Sequence, residues 1–295
     1  MYQCTRQKRA APRRSLRVSG PLTLSFLKRP SLPRPKCWFS TLLVSPPLPI
    51  LISSHSYISD NPVGKVYSKA ELTRIADLCV TNQIIILSDE VYDRLFYVPF
   101  TRIATLSPEV EKITLTVGSA GKNFYATGWR VGWLMGPPNL IQYVAAAHTR
   151  ICYSSVSPLQ EACAIGFEQA DAEGFWDDCI KDMKTKMDRF NRVWDELGIP
   201  YSEPEGGYFV MVNLEKVKLP EGYPFPPHVA DRPRDFKLAW FLIQELGVAA
   251  IPPSEFYTDV NAHIVEDYLR FAVCKPDNVL EDAKERLRGL KRYIQ

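Results

Sequence analysis

Lys122 lies in a turn of small residues directly after a predicted buried strand, and this position makes it the first candidate for chemistry. The strand is indicated by the apolar and β-branched run 113–117, and the small residues of the turn occupy 118–121. A lysine at the edge of a crevice can form an imine with a carbonyl compound, because burial and neighbouring positive charge favour the neutral amine. Arg130, eight residues further on, could supply such charge or bind an anion.

Two familiar loop motifs do not fit this turn. The phosphate loop of nucleotide-binding proteins requires Gly at position 116 and Ser or Thr at position 123, where this sequence has Thr116 and Asn123. A nucleophile elbow around Ser119 requires Gly two residues earlier, where Val117 stands. Imine chemistry at Lys122 is therefore the hypothesis that remains.

A serine, a lysine and an arginine around one turn suit the phosphate of pyridoxal 5′-phosphate, which makes Ser119 and Arg130 candidate ligands. This cofactor also needs an acid facing its pyridine nitrogen, because the protonated ring is the electron sink. Asp89 follows a second predicted strand and suits that role, and Tyr92 could donate to the phenolic oxygen of the ring. Taken alone, Asp89 suggests a cap or an ion-pair partner and Tyr92 a core residue. Their occurrence with Lys122 favours the cofactor site.

The elements around these residues predict an α/β fold with a three-layer, mostly parallel sheet. Helix and strand signals alternate from residue 60 onward, as they do when helices cross over between parallel strands. A capping box at Ser68 and Glu71, followed by apolar residues at helical spacing, predicts a helix over 69–82. Strands are predicted at 84–87, 113–117 and 130–135. Ligands of open α/β sheets bind outside the carboxyl ends of the strands, where the candidate residues lie.

The C-terminal part predicts a smaller α+β domain. The apolar spacing of a long helix near 174–197 suggests that this helix bridges two domains. The elements predicted after it are strands at 208–213, 248–251 and 268–273, a helix capped by Asp235 and closed by Gly247, and a last helix near 278–291.

The charges of the chain are divided between a basic leader and an acidic body. Residues 1–59 contain 10 Lys and Arg and no Asp or Glu, whereas residues 60–295 contain 26 basic and 33 acidic residues, a net charge of −7. An acidic body argues against nucleic-acid binding. The most apolar early run, 41–52, contains three prolines and is too short to span a membrane.

The seven cysteines and four histidines are scattered along the chain. No C-x-x-C pair or short-range ligand spacing occurs, so we expect no metal site. Unpaired cysteines favour a reducing compartment, and the predicted location is therefore the cytoplasm.

The leader shows no sustained helical or alternating periodicity, so we expect residues 1–59 to be unstructured. Its composition, rich in Arg and Ser and free of acids, resembles that of a transit peptide, and mitochondria are accordingly the alternative location. Prolines at 30, 33 and 35 would interrupt the amphipathic helix of such a peptide. A non-native leader produced by a wrong start or a retained intron is the other interpretation.

Five motifs, in matching order and spacing from about residue 60 to the end, resemble those of class I aminotransferases of fold type I. The motifs are Asn61-Pro62-Val63-Gly64-Lys65, Asp89-Glu90-Val91-Tyr92, Ser119-Ala120-Gly121-Lys122-Asn123-Phe124, Thr127-Gly128-Trp129-Arg130-Val131-Gly132-Trp133 and Tyr268-Leu269-Arg270-Phe271. Five ordered motifs are far more specific than any one of them. Within the family, the sequence around Lys122 and the segment 248–257 are most similar to those of kynurenine–oxoglutarate aminotransferases.

The resemblance implies catalytic and cofactor-binding roles for four of these residues. Lys122 would form an aldimine with pyridoxal 5′-phosphate and then move a proton between the substrate Cα and the cofactor C4′. Asp89 would hold the pyridinium nitrogen. Asn61 and Tyr92 would hydrogen-bond the phenolic oxygen.

The resemblance also implies three anion-binding residues. Ser119 and Arg130 would bind the cofactor phosphate. Arg270 would bind the substrate α-carboxylate as a bidentate fork, a geometry for which arginine is better suited than lysine. We interpret Phe256 as a packing residue rather than a substrate contact.

The family implies an activity and an organisation for the whole chain. The activity would be transfer of an amino group from kynurenine, glutamine or an aromatic amino acid to a 2-oxo acid, in a homodimer. Cysteine-S-conjugate β-lyase activity is an alternative that such relatives also show.

Residues 60–175 would form a partial cofactor-binding large domain, and residues 176–295 the bridging helix and the small domain. Because the family's chain continues upstream of Asn61 and the leader does not resemble it, an N-terminally truncated, inactive aminotransferase is the further alternative.

Overall fold

The computed structural model describes residues 50–57 and 61–294. Within these residues, four strands form a sheet in the order β1-β2-β3-β4. The strands are β1 (Ile50–Tyr57), β2 (Ile85–Asp89), β3 (Thr114–Ser119) and β4 (Gly132–Met135). The first three are parallel, and β4 runs antiparallel to β3. The predicted α/β class is confirmed.

Strand β1 corrects one prediction, because it lies in the leader that we expected to be unstructured. Its backbone pairs in parallel with β2, with Ile50 opposite Ile85. The prolines that interrupt the apolar run all precede Ile50, so the β-branched residues after them are free to add to the sheet. The rest of the leader lies outside the described residues.

Helix α1 (Lys69–Thr81) connects β1 to β2 and confirms the helix predicted from the capping box. The Ser68 hydroxyl accepts from the Glu71 backbone N–H, and the Glu71 carboxylate accepts from the Ser68 backbone N–H. The helix buries Leu72, Ala76 and Cys79 in a cluster with Ile86 and other apolar residues of the sheet region. This packing places α1 against β2.

The connection between β3 and β4 explains why β4 is antiparallel. Residues 120–131 contain only the one-turn helix α3 (Ala120–Asn123) and a 3₁₀ turn (Thr127–Trp129). A parallel crossover usually contains a helix that returns along the sheet, and residues 120–131 form only these two single turns, so the chain turns back beside β3. The strand predicted to begin at Arg130 therefore begins at Gly132, and Arg130 itself is left-handed with φ of 56°.

The remaining described elements are mainly helical. The α-helices are α2 (Pro108–Glu111), α4 (Pro138–Ile151), α5 (Ser157–Glu173), α6 (Phe175–Leu197), α7 (Pro227–Ala230), α8 (Arg234–Leu246) and α9 (Asp277–Leu287). Short 3₁₀ helices occupy Ile103–Thr105, Pro253–Phe256, Asp259–Ile264 and Arg288–Tyr293. The long helix that we expected near 174–197 is confirmed as α6.

A second sheet of two antiparallel strands, β5 (Phe209–Asn213) and β6 (Tyr268–Ala272), lies in the C-terminal part. Helices α6, α8 and α9 supply buried residues to the same apolar cluster as these strands. Tyr92 and Leu95, which follow β2, belong to this cluster as well. The end of β2 therefore packs directly on the C-terminal part, and the boundary predicted near residue 175 stays a prediction.

Two predictions for the C-terminal part are wrong. The segment 248–251 is not a strand but makes a single bridge, from Ile251 to Arg270. Asp235 is not the cap of α8, because Pro233 occupies that position. Asp235 lies in the first turn, fully buried, where its carboxylate accepts from the backbone N–H and the hydroxyl of Ser254 at 2.8 and 3.1 Å.

Candidate active site

The candidate site begins at the carboxyl ends of β2 and β3. Asp89 is the last residue of β2 and Ser119 the last residue of β3. Asp89 pairs with Val117, and the Glu90 backbone N–H donates to the Val117 carbonyl at 2.9 Å. The two strand ends therefore lie side by side, as the prediction for a parallel sheet requires.

Asp89 is a carboxylic acid whose charge is disfavoured by its surroundings. Burial raises its pKa from the ordinary 3.8 to about 6, whereas the Val91 backbone N–H, 3.3 Å from Oδ1, and the positive charge of Lys122 oppose the rise. A carboxyl group in this state is matched to a partner that shares its proton, such as a basic ring nitrogen.

Lys122 lies in α3 and is half-buried. Burial lowers its pKa below the ordinary 10.5, and the positive charge of Arg270 lowers it further. Arg130 also lowers the pKa of Lys122, whereas Cys274 and Asp89 raise it. The arrangement therefore favours the neutral, nucleophilic form of the amine more than an exposed lysine would allow.

Tyr92 brings an aromatic ring close to that amine. The Lys122 Nζ lies 5.7 Å from the centroid of the Tyr92 ring. Tyr92 is buried, and its ring meets Tyr208 and Phe209 edge to face at centroid distances of 5.3 and 6.0 Å. The rings of Tyr208 and Phe209, at the start of the second sheet, thus restrain the Tyr92 ring beside Lys122.

Arg270 reaches the site from the middle of β6. Its Nη1 donates to the Oδ1 of Asn61, and its guanidinium carbon lies 4.2 Å from the Phe209 ring and 5.0 Å from the Phe256 ring. Because Asn61 Oδ1 accepts from arginine, the amide Nδ2 is oriented to donate elsewhere. Phe256, interpreted from the sequence as packing, packs on the guanidinium itself.

The pairing of β3 with β4 brings the backbone of Ser119 close to that of Arg130, but no hydrogen bond between their side chains is observed. Ser119 is opposite Gly132 in the ladder, two residues from Arg130, and its hydroxyl does not cap α3. Arg130 is exposed and its guanidinium donates to the Thr127 carbonyl at 3.1 Å. Phosphate binding by these two residues stays a prediction.

Sequence reasoning missed an ion-pair network beneath the site. Arg102 donates to Glu90 at 2.8 Å and to Asp93 at 2.5 Å, and both acids are buried. Burial raises the pKa of Glu90 above its ordinary value, although the positive charge of Arg102 opposes the rise. The acids on either side of Tyr92 were a visible signal, but nothing in their spacing identifies Arg102 as the shared partner.

The donor set fits pyridoxal 5′-phosphate. An acid with a raised pKa suits the ring nitrogen, an amine with a lowered pKa suits the aldehyde carbon, and a phenol and an amide suit the phenolic oxygen. Asp89, Lys122, Tyr92 and Asn61 supply these groups within the part of the chain that the structure describes. The fit thus covers the ring of the cofactor, while its phosphate depends on Ser119 and Arg130.

Replacing Asp89 with asparagine is expected to stabilise the cofactor-free chain at pH 7 while weakening cofactor binding. A raised pKa means that the folded state binds more protons than the unfolded state between pH 4 and 6, so this group costs stability as pH rises through that window. Each pKa unit corresponds to about 1.4 kcal/mol, so the gain at pH 7 is up to about 3 kcal/mol. Urea unfolding at pH 7 and pH 4.5 measures it.

The pH dependence separates this explanation from a simple packing effect. The gain from Asp89→Asn should shrink between pH 7 and pH 4.5, because the wild-type carboxyl becomes neutral there. The exposed control Asp177→Asn is expected to change stability by no more than about 0.5 kcal/mol at either pH. An equal gain at both pH values would contradict the raised pKa of Asp89.

No helix within residues 61–294 is both long and apolar enough to cross a membrane. Among the same residues, no three His, Cys, Asp or Glu side chains are grouped as ligands for a metal ion.

Curated proteins similar to this chain are kynurenine–oxoglutarate transaminases. The protein named probable kynurenine–oxoglutarate transaminase BNA3 of Saccharomyces cerevisiae is 51% identical over 236 residues, which are 79% of this chain and 53% of that protein. Kynurenine–oxoglutarate transaminase of Dictyostelium discoideum is 37% identical over 239 residues, 79% of this chain and 55% of that protein. The chain thus spans about half the length of the curated relatives it matches.

Solved structures and a family model agree with these relatives. The crystal structure of Bna3p from Saccharomyces cerevisiae superposes with a TM-score of 0.77 at 51% identity, covering 80% of this chain and 56% of that chain. N-succinyldiaminopimelate aminotransferase from Mycobacterium tuberculosis superposes with a TM-score of 0.68 at 28% identity, covering 78% and 56%. The model of aminotransferase class I and II matches residues 59–287. The chain therefore belongs to the class I and II aminotransferase family, as its five ordered motifs predict.

Proposed function

We propose that this chain is a pyridoxal-phosphate-dependent aminotransferase that moves an amino group from kynurenine, glutamine or an aromatic amino acid to a 2-oxo acid. The observation that supports this most directly is the half-buried Lys122 amine, with its lowered pKa, which interacts electrostatically with Asp89 and lies 5.7 Å from the centroid of the Tyr92 ring. Similarity to kynurenine–oxoglutarate transaminases supports the choice of amino acids.

Pyridoxal phosphate, when bound, supplies an aldehyde that reacts with amines and a ring that accepts the electrons of the substrate Cα–H bond. The Asp89 carboxyl group holds a proton at the ring nitrogen, and its raised pKa suits it to share that proton. Tyr92 and Asn61 orient the phenolic oxygen. Lys122 Nζ, as a neutral amine, would take the proton from the substrate Cα and deliver it to C4′ of the cofactor.

Arg270 orients the substrate by its α-carboxylate in this proposal. Its guanidinium lies in contact with two aromatic rings, which limits its movement and excludes water from its faces. Asn61 accepts from one of its nitrogens. A carboxylate bound by such a fork would present its Cα–H bond in a single orientation, and this is the step on which a positioned base depends.

Absorption spectroscopy of the full chain tests the proposal. Addition of pyridoxal phosphate should produce a visible band, and borohydride should then fix one cofactor on Lys122, located by peptide mass spectrometry. Incubation with kynurenine or glutamine and a 2-oxo acid should yield the exchanged pair. Formation of ammonia and pyruvate from a cysteine conjugate would show lyase chemistry, and failure to trap any adduct would contradict the proposal in favour of an inactive aminotransferase fragment.

Replacing Arg270 with lysine is expected to raise KM for both substrates by roughly 10- to 100-fold, because lysine keeps the charge but loses the fork and the ring contacts. The change in kcat should be smaller than the change in KM. Initial rates over a matrix of both substrate concentrations measure the two separately.

The matched control for that change is Arg286→Lys, which alters an exposed i, i+4 ion pair with Asp282. It should leave KM within about twofold of the wild type, because exposed pairs contribute little. An Arg270→Lys variant with unchanged KM and reduced kcat would mean that Arg270 does not hold the carboxylate.

Assembly and location are part of the proposal. We expect a homodimer in the cytoplasm, with mitochondria as the alternative location. Within the part of the chain that the structure describes, no disulfide joins any of Cys79, Cys152, Cys163, Cys179 and Cys274.

A further inference from the structure

The backbone ladder that joins β2 to β3 ends just before the candidate active site. Its last bond runs from the Glu90 N–H to the Val117 carbonyl. Beyond that point, the segment carrying Tyr92 and the helix carrying Lys122 leave the sheet. Side chains must therefore determine how far apart these two segments stand.

Asp93 makes that connection with both of its carboxylate oxygens. Oδ2 accepts from Nη2 of Arg102 at 2.5 Å, and Oδ1 accepts from Nδ2 of Asn123 at 2.9 Å. Asp93 is 8% exposed and Asn123 is 7% exposed, so water competes little for either bond. The Arg102 guanidinium is in turn held by Glu90, on the segment that begins at Asp89.

Both ends of this connection are next to residues of the proposed chemistry. Asp93 follows Tyr92 directly, and Asn123 follows Lys122 within the one-turn helix α3. A single turn of helix has no regular structure of its own to hold its orientation, because its end groups outnumber its internal bonds. The Asp93–Asn123 hydrogen bond is therefore a buried side-chain restraint between α3 and the segment that follows β2.

We propose that Asp93 and Asn123 are positioning residues that hold the Lys122 amine at a fixed distance from Asp89 and Tyr92. This inference rests on the proposed function for its consequence in catalysis, but the restraint itself belongs to the folded chain. Loss of the Asp93–Asn123 hydrogen bond lets α3 rotate, so that the Lys122 amine reaches the proton on the substrate Cα less often. The carboxylate site at Arg270 is built by other residues and is unaffected.

A reciprocal exchange of the two side chains tests the proposal. Asn123→Asp places a second carboxylate against Asp93 in a buried site, where like charges repel strongly. Asp93→Asn should be milder, because Asn123 can turn its amide over and accept from the new donor. The double variant Asp93→Asn with Asn123→Asp restores the bond, since the new asparagine still accepts from Arg102 and donates to the new aspartate.

Two readouts report the geometry in the cofactor-free chain. Amide hydrogen exchange of the peptide 120–124 should be at least tenfold faster in Asn123→Asp than in the wild type, and within about threefold of the wild type in the double variant. Carbon-13 reductive methylation and NMR titration give the pKa of Lys122, which should rise toward its ordinary value in Asn123→Ala as α3 loosens. Asn123→Ala adds no charge and covers the case in which Asn123→Asp does not fold.

In the loaded enzyme, Asn123→Ala should lower kcat by at least about tenfold with KM changed less than about threefold. The control Asn278→Asp repeats the chemical change of Asn123→Asp on an exposed residue of α9 and should match the wild type in every measurement. Failure of the wild type to form an adduct would count against the proposed function, while exchange and titration would still decide the positioning role. The positioning role is overturned if Asn123→Ala leaves both unchanged, or if the double variant exchanges as fast as Asn123→Asp.

Discussion

Replacement of Lys122 by alanine should abolish covalent trapping of pyridoxal phosphate and reduce transamination by at least about 10³-fold. The variant removes the amine that is proposed both to bind the cofactor and to move the proton. The other cations near the site, Arg270 and Arg130, carry guanidinium groups, which offer no primary amine to react with the aldehyde or to move the proton. Mass spectrometry after borohydride reduction and steady-state rates measure the two losses.

The fold of this variant should remain intact, because burial already disfavours the charge of the Lys122 amine. Far-UV circular dichroism and the urea midpoint check this expectation. Lys112→Ala, which removes an exposed lysine, is the matched control and should trap cofactor and turn over as the wild type does. Turnover by Lys122→Ala within tenfold of the wild type would refute the role assigned to this residue.

Replacement of Arg102 by methionine should lower the free energy of unfolding by about 3 kcal/mol. The substitution keeps most of the apolar stem but leaves Glu90 and Asp93 buried without their shared cation. Removing one partner of a buried ion pair costs more than the pair contributes, because the remaining charge is poorly solvated. Because the Arg102 side chain is 34% exposed, we expect a loss at the lower end of the range for removing one partner of a buried ion pair.

The loss caused by Arg102→Met should depend on pH. Burial already raises the pKa of Glu90, and the charge of Arg102 opposes that rise. Without the arginine the folded-state pKa of Glu90 should rise further, so stability is lost as pH rises and is regained as pH falls. Urea unfolding at pH 8 and pH 5 should therefore show a larger deficit at pH 8. Arg286→Met, at an exposed pair, should cost less than about 0.5 kcal/mol at both pH values. An equal deficit at both pH values would indicate lost packing of the arginine stem instead.

Much of the fold that surrounds the site was predictable, because its signals are local. The capping box at Ser68 and Glu71 gave the start of α1, and the continuous apolar runs gave β2 and β3. Short-range hydrogen bonding and burial on both faces decide these elements, and both are written in neighbouring residues. The grouping of Asp89 and Lys122 at adjacent strand ends follows from parallel pairing.

The features that were missed depend on contacts between distant parts of the chain. The direction of β4 depends on residues 120–131 forming only two single turns in place of a crossover helix. The segment 248–251 makes a single bridge although it begins and ends with the β-branched residues Val248 and Ile251. Arg102 meets Asp93 and Glu90 only after the chain has turned back past β2. An arginine 12 residues from one acid and 9 from the other has no periodicity that a sequence pattern can indicate.

The contact between Asn61 and Arg270 joins residues that are 209 positions apart, whereas Asp89, Tyr92 and Lys122 all lie within one short stretch of chain. Closing a loop of that size carries an entropic cost that the packing between the two parts of the molecule must offset first. The amine and its acid can therefore meet early in folding, as soon as β2 and β3 pair. The carboxylate binding proposed for Arg270 depends instead on the contact with Asn61, so it requires the two distant parts of the chain to be packed together.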